Sequence, residues 1–170
     1  MAESLVLTVI ADDKTGIVEQ VSKVVAQHGG NWLESRMAHM AGKFAGIVLI
    51  SVDAAQSADL ITALSALSSQ GIQVTAESGA VSDDSQCIEL TLSLVGNDRP
   101  GIVREVSQAL AAMNVNVLEL TTDCAPAEMS AVPLFKAEAV LRVAKDFDTS
   151  KVADALEAIS NDLMVEISLD

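Results

Sequence analysis

The chain carries nearly the same 30-residue text twice. LVLTVIADDKTGIVEQVSKVVAQHGGNWLE at residues 5–34 returns as LTLSLVGNDRPGIVREVSQALAAMNVNVLE at residues 90–119, without a gap and at an offset of about 85 residues. Roughly 12 of the 32 positions from Leu5 to Arg36 are identical in the two copies. A duplication of this kind allows one solution above others: two modules of the same fold, each carrying its own version of any site. The best-matched stretch, TGIVEQVS against PGIVREVS, places Gly16 and Gly101 where an apolar strand hands over to an amphipathic helix.

Periodicity gives the order of elements inside each module. Residues 5–10 form a short apolar, branched run that ADDKTG breaks, after which Ile17, Val21, Val24 and Val25 recur at helical spacing until Gly29 and Gly30 stop them. Residues 31–40 and 43–53 read as two strands joined by a tight turn at Ala41 and Gly42. Leu60, Ile61, Leu64 and Leu67 form a second helical stripe ended by Gly71, and residues 72–81 return as a strand. The second copy repeats the order, with strands at 87–95, 115–123, 135–144 and 164–169 and helices at 100–113 and 149–163. The fold class is therefore α+β: two tandem ferredoxin-like βαββαβ modules, each an antiparallel sheet under two helices. The expected domains are residues 1–82 and 87–170, with a polar linker at 83–86. The copies differ between their second and third strands, where the second has the proline-bearing stretch from Cys124 to Leu134 in place of a two-residue turn. Long loops of this kind in compact domains are often functional.

Composition removes several functions. The net charge is −14, with 4 basic against 10 acidic residues up to Ser85 and 6 against 14 after it. Neither half offers a cationic surface for phosphates, so neither nucleic acid nor anionic membrane is an expected partner. RNA-binding modules of this topology stack bases on exposed aromatics, and this chain has no Tyr, 3 Phe and 1 Trp. Cys87 and Cys124 have neither CxxC spacing nor clustered histidines, which excludes a recognisable zinc site, and no cofactor is implied. They read as reduced thiols of a cytoplasmic protein; no leader pattern and no bilayer-length apolar run is seen. For catalysis the parts are thin. His28 reads as a helix C-terminal partner, His39 lies on a strand and is not repeated, and Asp12 and Asp13 read first as turn and capping residues. No acid, base and nucleophile set converges, so the chain is not expected to be an enzyme.

What remains is the duplicated junction. A strand followed by D-K-T-G or D-R-P-G and then a helix gathers backbone N–H groups and the positive end of a helix dipole, a natural seat for a carboxylate. Gly16 and Gly101 lack a side chain and permit close approach. The motif D-[KR]-[TP]-G-I-V after a strand, followed by a helix and a strand opening G-N-W or V-N-V, resembles the ACT domain, a regulatory module that binds amino acids. The resemblance covers nearly the whole chain in two copies. The segments LESRMAHMAGKFAGIVLISV at 33–52 and APAEMSAVPLFKAEAVLRV at 125–143 are similar to the glycine cleavage system transcriptional repressor family, tandem ACT proteins without a DNA-binding domain.

The resemblance implies a regulator that senses a small amino acid, glycine or serine in size, and controls transcription through contact with a DNA-binding activator. It implies ligand contacts at Asp13 and Asp98 after the first strands and at Asn31 and Asn116 opening the second strands, beside Gly16 and Gly101. Amino-acid-binding members often carry histidine two positions before the first polar contact, where this chain has Ala11 and Gly96, and asparagine where it has Asp13 and Asp98. Aspartate suits an ammonium group and repels a carboxylate. Geometry adds a constraint: within one βαββαβ unit Asp13 and Asn31 lie at opposite edges, so paired pockets require Asp13 to meet Asn116 and Asp98 to meet Asn31 across two modules. For Asn31 and Asn116 the alternative is turn chemistry after the helix. For the whole chain the alternative is a protein-interaction scaffold with vestigial pockets and no ligand. A homodimer is compatible with either.

Overall fold

The computed structural model describes residues 1–126, 128–129 and 131–169, and it divides into two compact units, Met1–Ser82 and Asp83–Asp170. The first unit runs β1 (Ala2–Asp12), α1 (Ile17–Gln27), β2 (Asn31–Met40), β3 (Lys43–Asp53), α2 (Ala54–Ser65), a short 3-10 turn, and β4 (Ile72–Ser78). The second runs β5 (Cys87–Asn97), α3 (Ile102–Ala112), β6 (Asn116–Ala125), β7 (Leu134–Ala144), α4 (Ser150–Glu157) and β8 (Met164–Leu169). Each unit is the expected βαββαβ sandwich. Its sheet is antiparallel throughout, in the order β2-β3-β1-β4 or β6-β7-β5-β8.

Alternation sets which strand residues meet the helices. Leu5, Leu7 and Val9 of β1 and Val48, Ile50 and Val52 of β3 are buried with Ile17, Val21 and Val25 of α1 and Leu60 and Leu64 of α2. In the second unit Leu90, Leu92 and Leu94 meet Ile102 and Leu110 of α3 and Val152 and Leu156 of α4 in the same way. Both first helices end in a Schellman motif: Gly29 and Gly30 N–H groups donate to Ala26 and Val25, and Asn114 and Val115 to Ala111 and Leu110. The left-handed position falls on Gly29 (φ 70°) and Asn114 (φ 56°).

Several boundaries differ from the sequence expectation. β1 extends to Asp12 because its pairing with β3 continues to Lys43. α2, whose start the sequence left open, begins at Ala54, where the Asp53 carboxylate accepts the Ala55 N–H at 2.9 Å. β4 ends at Ser78 rather than at residue 81, since its ladder with β1 runs out there. The fourth helix stops at Glu157, well short of residue 163. Leu163 instead folds back as core, so close to β5 that a Cβ on Gly96 would stand 2.4 Å from its Cδ2.

Candidate functional site

Each unit brings its strand-to-helix turn beside the connection between its second and third strands. In the first, the Asp13 N–H donates to the Gly42 carbonyl at 2.9 Å; in the second, the Asp98 N–H donates to the Pro133 carbonyl at 2.8 Å. The helices that follow begin at Gly16 (φ 94°) and Gly101 (φ 86°), left-handed residues that an L side chain would strain. Neither helix has a side-chain cap. The capping role expected of Asp12 and Asp13 is therefore not found. The first N–H groups of any helix have no partner within it; at the second turn the Ile102 N–H donates to the Arg99 carbonyl at 3.4 Å, and no side chain caps either start.

The acidic residues have other partners. Asp12 pairs with Lys43 across the β1–β3 ladder, and that hydrogen bond holds its carboxyl below the usual carboxylate range. Lys14 reaches the Gln70 carbonyl at 2.7 Å. Asp13 faces His39, with its Oδ2 3.6 Å from Nε2, the same nitrogen that accepts the Gly42 N–H at 3.3 Å. Asp98 faces Cys124, whose thiol is held above its usual range by partial desolvation, by the Asp98 charge and by the hydrogen bond it donates to that carboxylate. Arg99, next to Asp98, is engaged by Glu105 of α3, whose carboxyl that bond lowers.

His39 and Cys124 were not singled out as ligand contacts by the sequence, yet they occupy one structural position: each lies opposite a phenylalanine, Phe44 or Phe135, and each faces the aspartate of its turn. The signal was available. Their spacing is the repeat offset of about 85 residues, visible once position rather than identity is compared. His28 is the C-cap of α1, with Nδ1 2.9 Å from the Val24 carbonyl.

Asn31 and Asn116 are exposed openings of β2 and β6 rather than turn residues. Pairing places Asn31 opposite Ser51, which lies opposite Ser4, while Met40 lies opposite Lys43 and hence Asp12. The eight residues from Ser4 to Asp12 correspond to about 26 Å of strand. Asp13 and Asn31 therefore sit at opposite ends of the same sheet, as do Asp98 and Asn116. Among the described residues there is no cluster of His, Cys, Asp or Glu able to hold a metal, and no helix is long and apolar enough to cross a membrane. The loop between β6 and β7 includes residues 127 and 130, which lie outside the described residues.

The sequence model of the ACT domain matches residues 3–77, the first unit. A UPF0237 protein of Methanococcus maripaludis is 35% identical over 78 residues, spanning 44% of this chain and 87% of that protein. Among solved structures, a protein of unknown role from Galdieria sulphuraria matches with a TM-score of 0.83 and 26% identity over 100% of this chain and 99% of its own. A protein provisionally named a glycine cleavage system transcriptional repressor matches with a TM-score of 0.71 over 100% of this chain and 99% of its own; at 18% identity that likeness is one of fold. With the turn, the βαββαβ order and the sheet order present in both halves, the chain belongs to the ACT-domain family, as two such modules in tandem.

Proposed function

We propose that this chain is a non-enzymatic, cytoplasmic regulator that senses a small amino acid at its two strand-to-helix turns and acts on transcription through a protein partner. One observation carries the reading: both turns combine an uncapped helix start behind a left-handed glycine with an aspartate a few residues away. Amides and helix dipole suit the ligand's carboxylate, and Asp13 or Asp98 suits its ammonium group. Because Asp13 and Asn31 occupy opposite ends of one sheet, as do Asp98 and Asn116, they do not share one small ligand; we assign Asp13 with Gly16 and Asp98 with Gly101 to the two ligand seats and keep Asn31 and Asn116 as separate candidate contacts. A charge of −14 disfavours direct DNA contact, which supports action through a DNA-binding activator. The fold shared with the provisionally named repressor makes the glycine cleavage system the natural process to examine, with glycine or serine as first effectors.

Titration calorimetry with glycine and serine tests the reading on the wild type, Asp13→Ala and Asp98→Ala. A hydrogen bond to a charged group contributes roughly 1.5–3 kcal/mol, so each variant should weaken one pocket about tenfold or more. No heat at millimolar ligand would favour the scaffold alternative. Equal affinity in wild type and variants would move the ligand elsewhere.

A further inference from the structure

His39 lies between two partners that require opposite things of its ring. Its Nε2 accepts the Gly42 N–H at 3.3 Å and lies 3.6 Å from Asp13 Oδ2. A ring nitrogen that accepts a hydrogen bond carries no proton, so His39 in this arrangement is neutral, with its hydrogen on Nδ1. Toward Asp13 the same nitrogen then turns a lone pair to a carboxylate oxygen, and two acceptors do not bond. Their separation of 3.6 Å is longer than a hydrogen bond, in keeping with that.

A proton on Nε2 reverses both relations. The nitrogen becomes a donor, so the Gly42 N–H loses its acceptor while the ring gains a charge-assisted bond to Asp13. Gly42 ties the two events together, because its carbonyl accepts the Asp13 N–H at 2.9 Å while its N–H holds the ring. Histidine is the side chain that changes charge between about pH 5 and pH 8, and both side chains of this pair are about half exposed, so protons reach them from solvent.

The other charged groups around the ring have partners of their own. Asp12 pairs with Lys43 of β3, Lys14 bonds the Gln70 carbonyl, and Arg36 of β2 pairs with Glu34. From α1 the charged residue of the first turn is Glu19. Asp13 is the carboxylate that faces Nε2.

The second module cannot make this exchange. Pro133 accepts the Asp98 N–H as Gly42 accepts that of Asp13, but proline has no N–H to give. Cys124, at the position of His39, is a thiol that already donates to Asp98.

We propose that His39 is a proton-operated latch on the first strand-to-helix turn: neutral, it holds the Gly42 N–H and leaves the Asp13 carboxylate open; protonated, it releases Gly42 and occupies Asp13. Its consequence for ligand capture rests on the amino-acid-sensing reading above. The first site weakens as pH falls, and the second does not.

The test is NMR of the full chain without ligand between about pH 8 and pH 5.5, in wild type, His39→Gln and His39→Cys, the last placing the second module's residue in the first. In wild type the Gly42 amide and the Asp13 side-chain carboxyl signals should move along one titration curve with the His39 ring, and the Asp98 carboxyl signal should not follow it. Both movements should vanish in both variants, so that either one suffices if the other misfolds. A Gly42 amide that stays still while the His39 ring titrates, or that moves equally in the variants, overturns the latch. Calorimetric titration with glycine at the two ends of the range then reads its effect. Wild type should lose about two- to fivefold in affinity at one site on acidification, the factor an exposed ion pair supplies, and the variants should lose none. Equal affinity at both ends overturns the latch as a control of the site. No glycine binding at either end overturns the sensing reading, while the ring and amide signals still decide the latch.

Discussion

Ala41 occupies a position that alanine seldom takes: it is left-handed at φ 47°, followed by Gly42 at φ 80°, in the two-residue turn between β2 and β3. Both central residues of such a hairpin turn need positive φ, which is why asparagine-glycine is the favoured pair. An alanine there bears the left-handed penalty that asparagine largely escapes, on the order of 1 kcal/mol. The expected outcome is that Ala41→Asn raises stability by about 1 kcal/mol, measured as a higher urea midpoint with unchanged slope. A lower midpoint would mean that the turn is held in this shape for contacts near Asp13, whose N–H is bonded to the Gly42 carbonyl. This turn was legible in the sequence because Gly42 interrupts two alternating runs. The roles of Asp12 and Asp13 were not, because a carboxylate before a helix fits capping equally well until its cross-strand partners, Lys43 and His39, are in place.

At the scale of elements, what the sequence transmitted best was strand and helix order, carried by apolar periodicity. It transmitted ends less well. The end of α4 depended on Leu163 leaving the helix to fill the space over Gly96, a tertiary contact that local spacing does not encode. The apolar cleft between α3 and β6 of the second module, lined by Val106, Leu110 and Thr122, was illegible for a similar reason: Met37 and Thr122 stand at one structural position, and only strand register shows which side chain lies over the core. Gly46 makes the dependence testable. A Cβ there would stand 2.1 Å from the Arg36 carbonyl oxygen and 2.7 Å from Met37 Cα, so β2 would have to shift outward. Gly46→Ala should cost about 1–3 kcal/mol, the usual range for overpacking a filled core. Combining it with Met37→Thr should recover little of the loss, because the nearest obstruction is backbone. Full recovery in the double variant, read from denaturant unfolding, would show that β2 moves freely and that the side chain alone sets the spacing.

At the scale of the whole molecule the two modules are alike inside and unlike outside. Strand residues apolar on both faces are a property of the first sheet: Val6, Ile10, Ala45, Ile47 and Leu49 occupy the face away from its helices, with Ile10 43% and Ile47 54% exposed. The corresponding face of the second sheet carries Glu89, Lys136, Glu138 and Arg142, and Arg142 is bridged to Glu89 and Asp84. Duplication preserved the buried face, where shape is constrained, and let the outer faces diverge. An apolar sheet face is an association surface when nothing covers it, and a charged one is not. Expressed separately, residues 1–82 should self-associate with rising concentration while residues 83–170 stay monomeric, as read by sedimentation velocity. Ile47→Lys should suppress association of the first piece without lowering its melting temperature, since the side chain is half exposed and lies outside the core. Monomeric behaviour of the first piece at high micromolar concentration would count against this face as a contact surface, and association of the second piece alone would place the sticky surface on the open cleft beside β6 instead.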